Sequence, residues 1–299
     1  MYMLENKVQG CLLGLACGDA VGSAVEFLPR ERFKTLTDMV GGGKFQLKAG
    51  MWTDDTSMAL CLAESLIICK GFDADDQMQR YLRWIDEGYY SSKDYAFGLG
   101  KTIINALFRY RKTGHPYSGR TESRYSGNGS LMRLAPIAIY YHKNLLEACK
   151  YASLSSQTTH ASAECIQACQ YFCHILLNAF TAENKYQVFK IRTNLDLACL
   201  TSIVSCDFMK KSVDEIKGSG FVLESLEAAL WAFWHTNNFK DAVLAAANLG
   251  DDADTTAAIC GQLAGAYYGI EHIPVEWLAK LYRKDDIEQM ARYLINKIH

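Results

Sequence analysis

The residues best suited to chemistry are two acidic segments far apart in the chain, Trp52-Thr53-Asp54-Asp55-Thr56 and Gly250-Asp251-Asp252-Ala253-Asp254-Thr255-Thr256. Together they carry five carboxylates and several hydroxyls, with no thiol or imidazole beside them. Like charges packed this closely repel, so a buried cluster needs a cation to be tolerated. All-oxygen donors suit a hard ion, Mg²⁺ or Mn²⁺, better than Zn²⁺ or Cu²⁺. The competing reading is helix capping, since Asp and Thr are common N-caps and carboxylates favour the positive end of a helix. A cap needs one side chain, whereas Asp251-Asp252-x-Asp254 supplies three carboxylates in four positions. The pair of segments therefore weighs toward a metal site assembled from distant parts of the chain.

Those segments need elements to position them. Glycines 10, 14, 18 and 22 stand four apart in a stretch whose pattern predicts a helix from about Leu4 to Ala24. A glycine costs a helix ~1 kcal/mol relative to alanine, so such a stripe makes sense where another backbone packs against it. A matching stripe, Ala257, Gly261, Gly265 and Gly269, follows the second acidic segment. The expectation is that the two helices pack together, bringing Asp19 and Glu26 toward the acidic start of the later one. Phe27 to Met51 reads as a long loop with Gly41-Gly42-Gly43 as its flexible point, and long loops in compact domains are usually functional. Further helices are expected from Thr53 or Asp54 to about Cys69 and near 74–87, 98–112, 131–141, 144–153, 160–180, 219–235 and 238–249. Thr113 to Gly129 reads as a second loop, and 182–218 as the least defined stretch.

Composition limits the function classes. The 299 residues are 49% apolar and 21% charged, with net charge −2. That balance gives no electrostatic case for nucleic acid or an anionic membrane. No apolar run reaches the ~18 residues of a membrane span. The stretch Gly10 to Cys17 resembles a signal-peptide core, but Glu5 precedes it and Asp19 follows, so it reads as a buried helix. Four prolines and many alanines favour helix. Eleven cysteines with no Cys-x-x-Cys pair argue for free thiols in a reducing compartment, hence the cytoplasm. Cys165, Cys169 and Cys173, spaced four apart, read as core residues. No linker or internal repeat divides the chain, and the expected architecture is all-α, a compact single-domain orthogonal helical bundle spanning residues 1–299.

Two more motifs stand at loop-to-helix junctions. Gly127-Asn128-Gly129-Ser130 can present backbone N–H groups to a phosphate. It is neither a P-loop nor a Gly-x-Ser-x-Gly elbow, and without other support it reads as an ordinary turn. His160, after Thr158-Thr159, is a lone histidine at a helix start, and no serine or cysteine nucleophile stands beside a base. Metal-activated water is thus the better candidate for any chemistry.

Five segments, taken in order, carry a family resemblance: Gly14-Leu15-Ala16-Cys17-Gly18-Asp19-Ala20-Val21-Gly22 with Glu26; Trp52 to Thr56; Ser126-Gly127-Asn128-Gly129 with Met132-Arg133; Thr159-His160; and Leu249 to Thr255. This order resembles the ADP-ribosylglycohydrolases of the dinitrogenase-reductase-activating type, over about residues 8 to 270. The resemblance implies an all-α fold with a central dinuclear site for two Mg²⁺ or Mn²⁺. Thr53, Asp54, Asp55 and Asp254 would hold one ion. Asp252, Asp254 and Thr255 would hold the other, with Asp254 bridging, and Asp251 left as a cap or supporting group. It implies Glu26, Asp55 and Asp254 as catalytic carboxylates, with Glu26 on a mobile loop. It also implies Ser126, Gly127, Asn128, Gly129 and His160 as contacts to ADP-ribose. The implied reaction is hydrolysis of the bond joining ADP-ribose to a protein side chain, arginine first, or to a small acceptor.

One departure concerns the acceptor. Arginine-directed members carry Asp-Ile-Gly before a threonine, where the aspartate receives the guanidinium. Here the stretch is Phe97-Gly98-Leu99-Gly100-Lys101-Thr102, with glycine at the aspartate position. On that basis Gly98→Asp is expected to raise arginine activity, unless Asp94 fills the role. Two other readings stand beside the hydrolase. A Mg²⁺-dependent α-helical prenyl or terpene synthase also uses aspartate clusters, but its Asp-Asp-x-x-Asp signature is absent, because Thr56-Ser57-Met58 follows Asp55. A protein that binds ADP-ribose with weak or no catalysis, or a structural relative such as a lens crystallin, is the other; Glu26 and the two intact clusters argue against it.

Overall fold

The protein is described by a computed structural model covering residues 2–191 and 195–296. Its described residues form fourteen α-helices joined by loops and short 3₁₀ turns, with isolated β-bridges but no strand. The helices are α1 (Tyr2–Gly22), α2 (Asp54–Ile68), α3 (Ala74–Glu87), α4 (Lys101–Thr113), α5 (Ala135–Tyr140), α6 (Leu145–Gln157) and α7 (Ala163–Ala179). They continue with α8 (Lys185–Val188), α9 (Thr201–Val204), α10 (Val222–His235), α11 (Phe239–Ala247), α12 (Ala253–Tyr268), α13 (Val275–Lys280) and α14 (Lys284–Asn296).

The centre of the fold is an antiparallel seam between α1 and α12. A β-carbon added at Gly10, Gly14, Gly18 or Gly22 would collide with the backbone carbonyl of Gly265, Gly261, Ala257 or Ala253, respectively. The relation is reciprocal, since Gly261 and Gly265 are pressed against the carbonyls of Gly14 and Gly10. Spacing of four keeps all these residues on one helix face, and the lost helix propensity is offset by dense backbone contact. The expectation from the two stripes is met, with one shift: Ala253 joins the row, and Gly269 ends α12 at positive φ beside Asn6. Because the helices run antiparallel, the C-terminal end of α1, with Asp19, lies beside the acidic N-terminal end of α12.

Most other expected helices are present with shifted ends. The helix expected from 98 begins at Lys101, because Gly98 has φ +77 and Gly100 is extended as N-cap. The helix expected over 131–141 is shorter, Ala135–Tyr140, and is preceded by a hydrogen-bonded turn from Asn128. The stretch 182–218 holds the short α8 and α9 and 3₁₀ turns, while residues 192–194 lie outside the described set. The helices share one large hydrophobic core in which Cys165, Cys169 and Cys173 are buried. All eleven cysteines are free thiols. No described helix is long and apolar enough to cross a membrane.

Candidate metal centre and cavity

Thr53 and Asp252 occupy the N-cap positions of α2 and α12, yet neither side chain makes a capping hydrogen bond. The cap of α2 comes instead from α1. Asp19, fully buried, accepts hydrogen bonds from Thr53 N (2.8 Å) and Thr56 N (3.0 Å), and from the hydroxyls of Thr53 (2.9 Å) and Thr56 (2.6 Å). This frees the acidic side chains of the first segment for other work. The Thr53 hydroxyl also lies 3.1 Å from both Asp55 Oδ2 and Asp254 Oδ2, joining residues 201 positions apart. A hydroxyl has one hydrogen. Donation to Asp19 leaves its lone pairs facing the other two carboxylates.

The carboxylates form two groups that share a member. Oxygens of Asp19, Asp55 and Asp254 lie within 4.8 Å of one another, and so do oxygens of Glu26, Asp252 and Asp254. All are buried except Asp252, which is half-buried. Burial comes first among the causes that push every one of these carboxyls upward, and neighbouring negative charge adds to it at most of them. Asp19 rises to about 6, held back by its four hydrogen bonds, and Glu26 to about 8. Asp54, Asp55 and Asp254 rise well above the usual range, and Asp252 rises as well. Glu26 Oε2 and Asp55 Oδ1 are buried without any hydrogen-bond partner. Buried polar atoms are rarely left so. An anionic cluster with orphaned oxygens and no nitrogen or sulfur donor fits hard divalent cations.

Backbone pairing sets Glu26 beside this cluster. Phe27 N donates to the Asp251 carbonyl (2.7 Å) and Asp251 N to the Leu28 carbonyl (2.9 Å), which ties the loop after α1 to the loop before α12. Phe27 and Asp251 both take positive φ, an uncommon conformation for residues with side chains that is enriched at functional sites. Asp251 itself is exposed at the cavity rim.

A cavity of about 720 Å³ opens over the carboxylates. Its floor includes Glu26, Asp54, Asp252, Asp254 and Thr255, and one wall is formed by Gly127, Asn128, Gly129 and His160. Phe27, Lys44 and Phe45 also line it, with the Lys44 ammonium 4.2 Å from the Phe27 ring centre. Thr53 and Asp55 are not among the lining residues and lie beneath the floor. Asn128 does more than shape a turn, because its Nδ2 donates to Asp252 Oδ2 (2.6 Å) and to Ser225 Oγ (2.9 Å). Spacing alone left this glycine loop as an ordinary turn. Its link to Asp252 spans 124 residues, and no local pattern announces it. Ser219 and Gly220 also line the cavity and carried no sequence signal.

Two positions have surroundings that the sequence did not indicate. Ser126 does not line the cavity; its hydroxyl turns to Ser162 Oγ (2.8 Å) and Glu164 (3.2 Å). Gly98 is not a vacant place for an aspartate. Its φ is +77, and a β-carbon there would strike Asp54 Oδ1, so glycine is required where the α4 loop presses on the acidic cluster. Asp94 is exposed and does not line the cavity, so it supplies no substitute.

Comparison with known proteins supplies the family. The family model ADP-ribosylglycohydrolase matches residues 2–299. The chain is 42% identical over 289 residues to the ADP-ribosylarginine hydrolase Tri1 of Serratia proteamaculans, covering 97% of this chain and 79% of that protein. It is 41% identical to the protein of the same name from Pseudomonas putida, covering 98% and 78%. A solved structure described as an ADP-ribosylglycohydrolase-related protein complex superposes with a TM-score of 0.87 at 38% identity, covering 99% of both chains. On its sequence and its fold, the chain belongs to the ADP-ribosylglycohydrolase family.

Proposed function

We propose that this protein is a metal-dependent hydrolase that releases ADP-ribose from an arginine side chain of a modified protein. The observation that carries this reading is Asp254, which belongs to both carboxylate groups at the foot of the cavity. The names of the relatives at 41–42% identity favour arginine as the acceptor.

The donor set fits two Mg²⁺ or Mn²⁺ ions. Thr53, Asp54, Asp55 and Asp254 would hold one, and Asp252, Asp254 and Thr255 the other. When bound, such ions orient ribose hydroxyls and stabilise charge that develops near the anomeric carbon. Glu26, whose Oε2 is unpaired, lies in one carboxylate group with Asp252 and Asp254, where cations would favour its ionised form and let it take a proton from water. Water then adds its oxygen to the anomeric carbon, the carbon–nitrogen bond breaks toward the guanidine, and a proton returns to that nitrogen. Gly127, Asn128, Gly129 and His160 are suited to hold the pyrophosphate and ribose.

The test is release of free ADP-ribose from arginine-linked and serine-linked peptides by chelator-treated protein, with Mn²⁺ or Mg²⁺ restored. Metal-dependent release from the arginine peptide is expected. Binding of ADP-ribose without release under either metal would instead identify a binding protein and sink the hydrolase reading.

A further inference from the structure

Arg133 is completely buried behind the glycine wall of the cavity, and no described carboxylate pairs with it. Its guanidinium is held by neutral groups. One terminal nitrogen donates to the Gly129 carbonyl (3.0 Å), and the other to Thr159 Oγ1 (2.8 Å) and the Ser155 carbonyl (3.3 Å). The Tyr81 ring lies 4.8 Å from its central carbon, and its Nε has no partner. An uncompensated buried cation is costly, and two of its bonds reach Gly129, which lines the cavity, and Thr159, the neighbour of His160, which also lines it.

The bond to Thr159 has a consequence for proton placement. A guanidinium only donates, so Thr159 Oγ1 accepts from it and keeps its own hydrogen for a second bond. That hydrogen has an acceptor in His160 Nδ1, 2.8 Å away. Donation there gives the hydroxyl hydrogen its one described acceptor, which favours an unprotonated Nδ1 with the ring proton on Nε2. Nε2 makes no hydrogen bond to a described residue and lies against Gly127 and Gly129, in the wall of the cavity that His160 lines.

We propose that Arg133 is a positioning residue: through Thr159 it locks His160 as the Nε2–H tautomer, a neutral donor aimed at an oxygen of the bound ligand. Through the Gly129 carbonyl it fixes the loop beside that donor. Burial first, and then the Arg133 charge, pull the His160 ring down to about 3, so it stays neutral at any working pH. The ligand half of the proposal rests on the functional reading above, while the tautomer half does not.

The test is ¹⁵N NMR of the His160 ring in the full-length, ligand-free protein, alongside ADP-ribose binding and steady-state kinetics for Thr159→Val, Thr159→Ser and Arg133→Lys. Wild-type protein should show a single Nε2–H tautomer. Thr159→Val keeps the side-chain volume but removes the link. It should yield mixed or Nδ1–H tautomers and raise Kd and KM by about tenfold, the effect of one lost hydrogen bond of ~1.4 kcal/mol, with kcat little changed. Thr159→Ser should restore both the tautomer and the affinity. An Nδ1–H ring in wild type, or an unchanged tautomer in Thr159→Val, would overturn the relay even if Arg133→Lys fails to fold. A shifted tautomer with unchanged affinity would overturn the ligand contact. Wild-type protein that binds no ADP-ribose would count against the functional reading and leave the tautomer result standing.

Discussion

Two buried charged centres lie on either side of the cavity wall, and they are built on opposite principles. The acidic centre concentrates Asp19, Glu26, Asp54, Asp55, Asp252 and Asp254 and leaves Glu26 Oε2 and Asp55 Oδ1 without partners. The Arg133 centre holds a single cation whose two terminal nitrogens are bonded to carbonyls and a hydroxyl. The first leaves carboxylate oxygens unpaired, and under the proposed function cations would complete it. The second is nearly satisfied by protein dipoles and has no vacancy for a ligand. The lesson is that burial of charge alone does not mark a ligand site; Arg133 Nε is orphaned too, and what sets the acidic centre apart is a cluster of like-charged groups with unpaired oxygens under an open cavity.

The largest expected effect comes from Asp254→Asn, since Asp254 serves both carboxylate groups. Calorimetric titration with Mn²⁺ should lose the wild-type stoichiometry, and turnover should fall by on the order of 10³-fold or more. Arg133→Lys should leave that titration intact. Equal damage to the metal titration from both variants would break the contrast between the centres.

Metal removal separates them next. The carboxyls of the acidic centre have raised values in the folded state, Asp19 to about 6 and Glu26 to about 8. The folded protein therefore holds protons that the unfolded chain has released. For the metal-free protein this favours folding below about pH 4, the unfolded carboxylate range, and is lost as pH rises through about 6 and then 8. Its melting temperature should fall across that window, by the equivalent of a few kcal/mol. Saturating Mn²⁺ should flatten the profile and add about 2.7 kcal/mol per site at a hundredfold excess over Kd. A metal-free melting temperature that rises steadily from pH 5 to 8 would mean that the cluster is not strained as described.

The seam offers a smaller and more local perturbation. Gly22→Ala would drive its new methyl into the Ala253 carbonyl and the Asp254 Cα. A loss of about 1–3 kcal/mol is expected from overpacking, with weaker Mn²⁺ binding because Asp254 is displaced. Denaturant melts and the same titration check both. Stability loss with unchanged metal affinity would uncouple the seam from the site.

The smallest effect expected on specificity concerns Gly98→Asp. Strain at positive φ and the collision with Asp54 predict lower activity on arginine and serine linkages alike, on the order of tenfold, with no gain in the arginine-to-serine ratio. Paired specificity constants decide it, and a rise in the ratio would restore the reading of this position as an empty aspartate site.

Several features of this protein were written in its residues. The glycine rows four apart identified two helix faces that admit a backbone, because only glycine and alanine leave room for another helix at that distance. Two oxygen-rich segments at helix starts marked where a buried acidic cluster forms, because three carboxylates in four positions exceed what a helix cap needs. Both signals are local in sequence and periodic, so they survive without knowledge of the fold. Tertiary structure alone decided how these parts meet. Asp19 caps α2 from another helix, Asn128 grips Asp252 across 124 residues, and Arg133 reaches His160 through Thr159. It also turned Ser126 away from the cavity and gave Gly98 a steric reason in place of a missing function. The physical cause is the same throughout. A hydrogen bond or a collision depends on ångström-scale geometry between segments that sequence spacing leaves independent, and only the packing of the whole bundle, with the α1–α12 seam at its centre, brings those segments together.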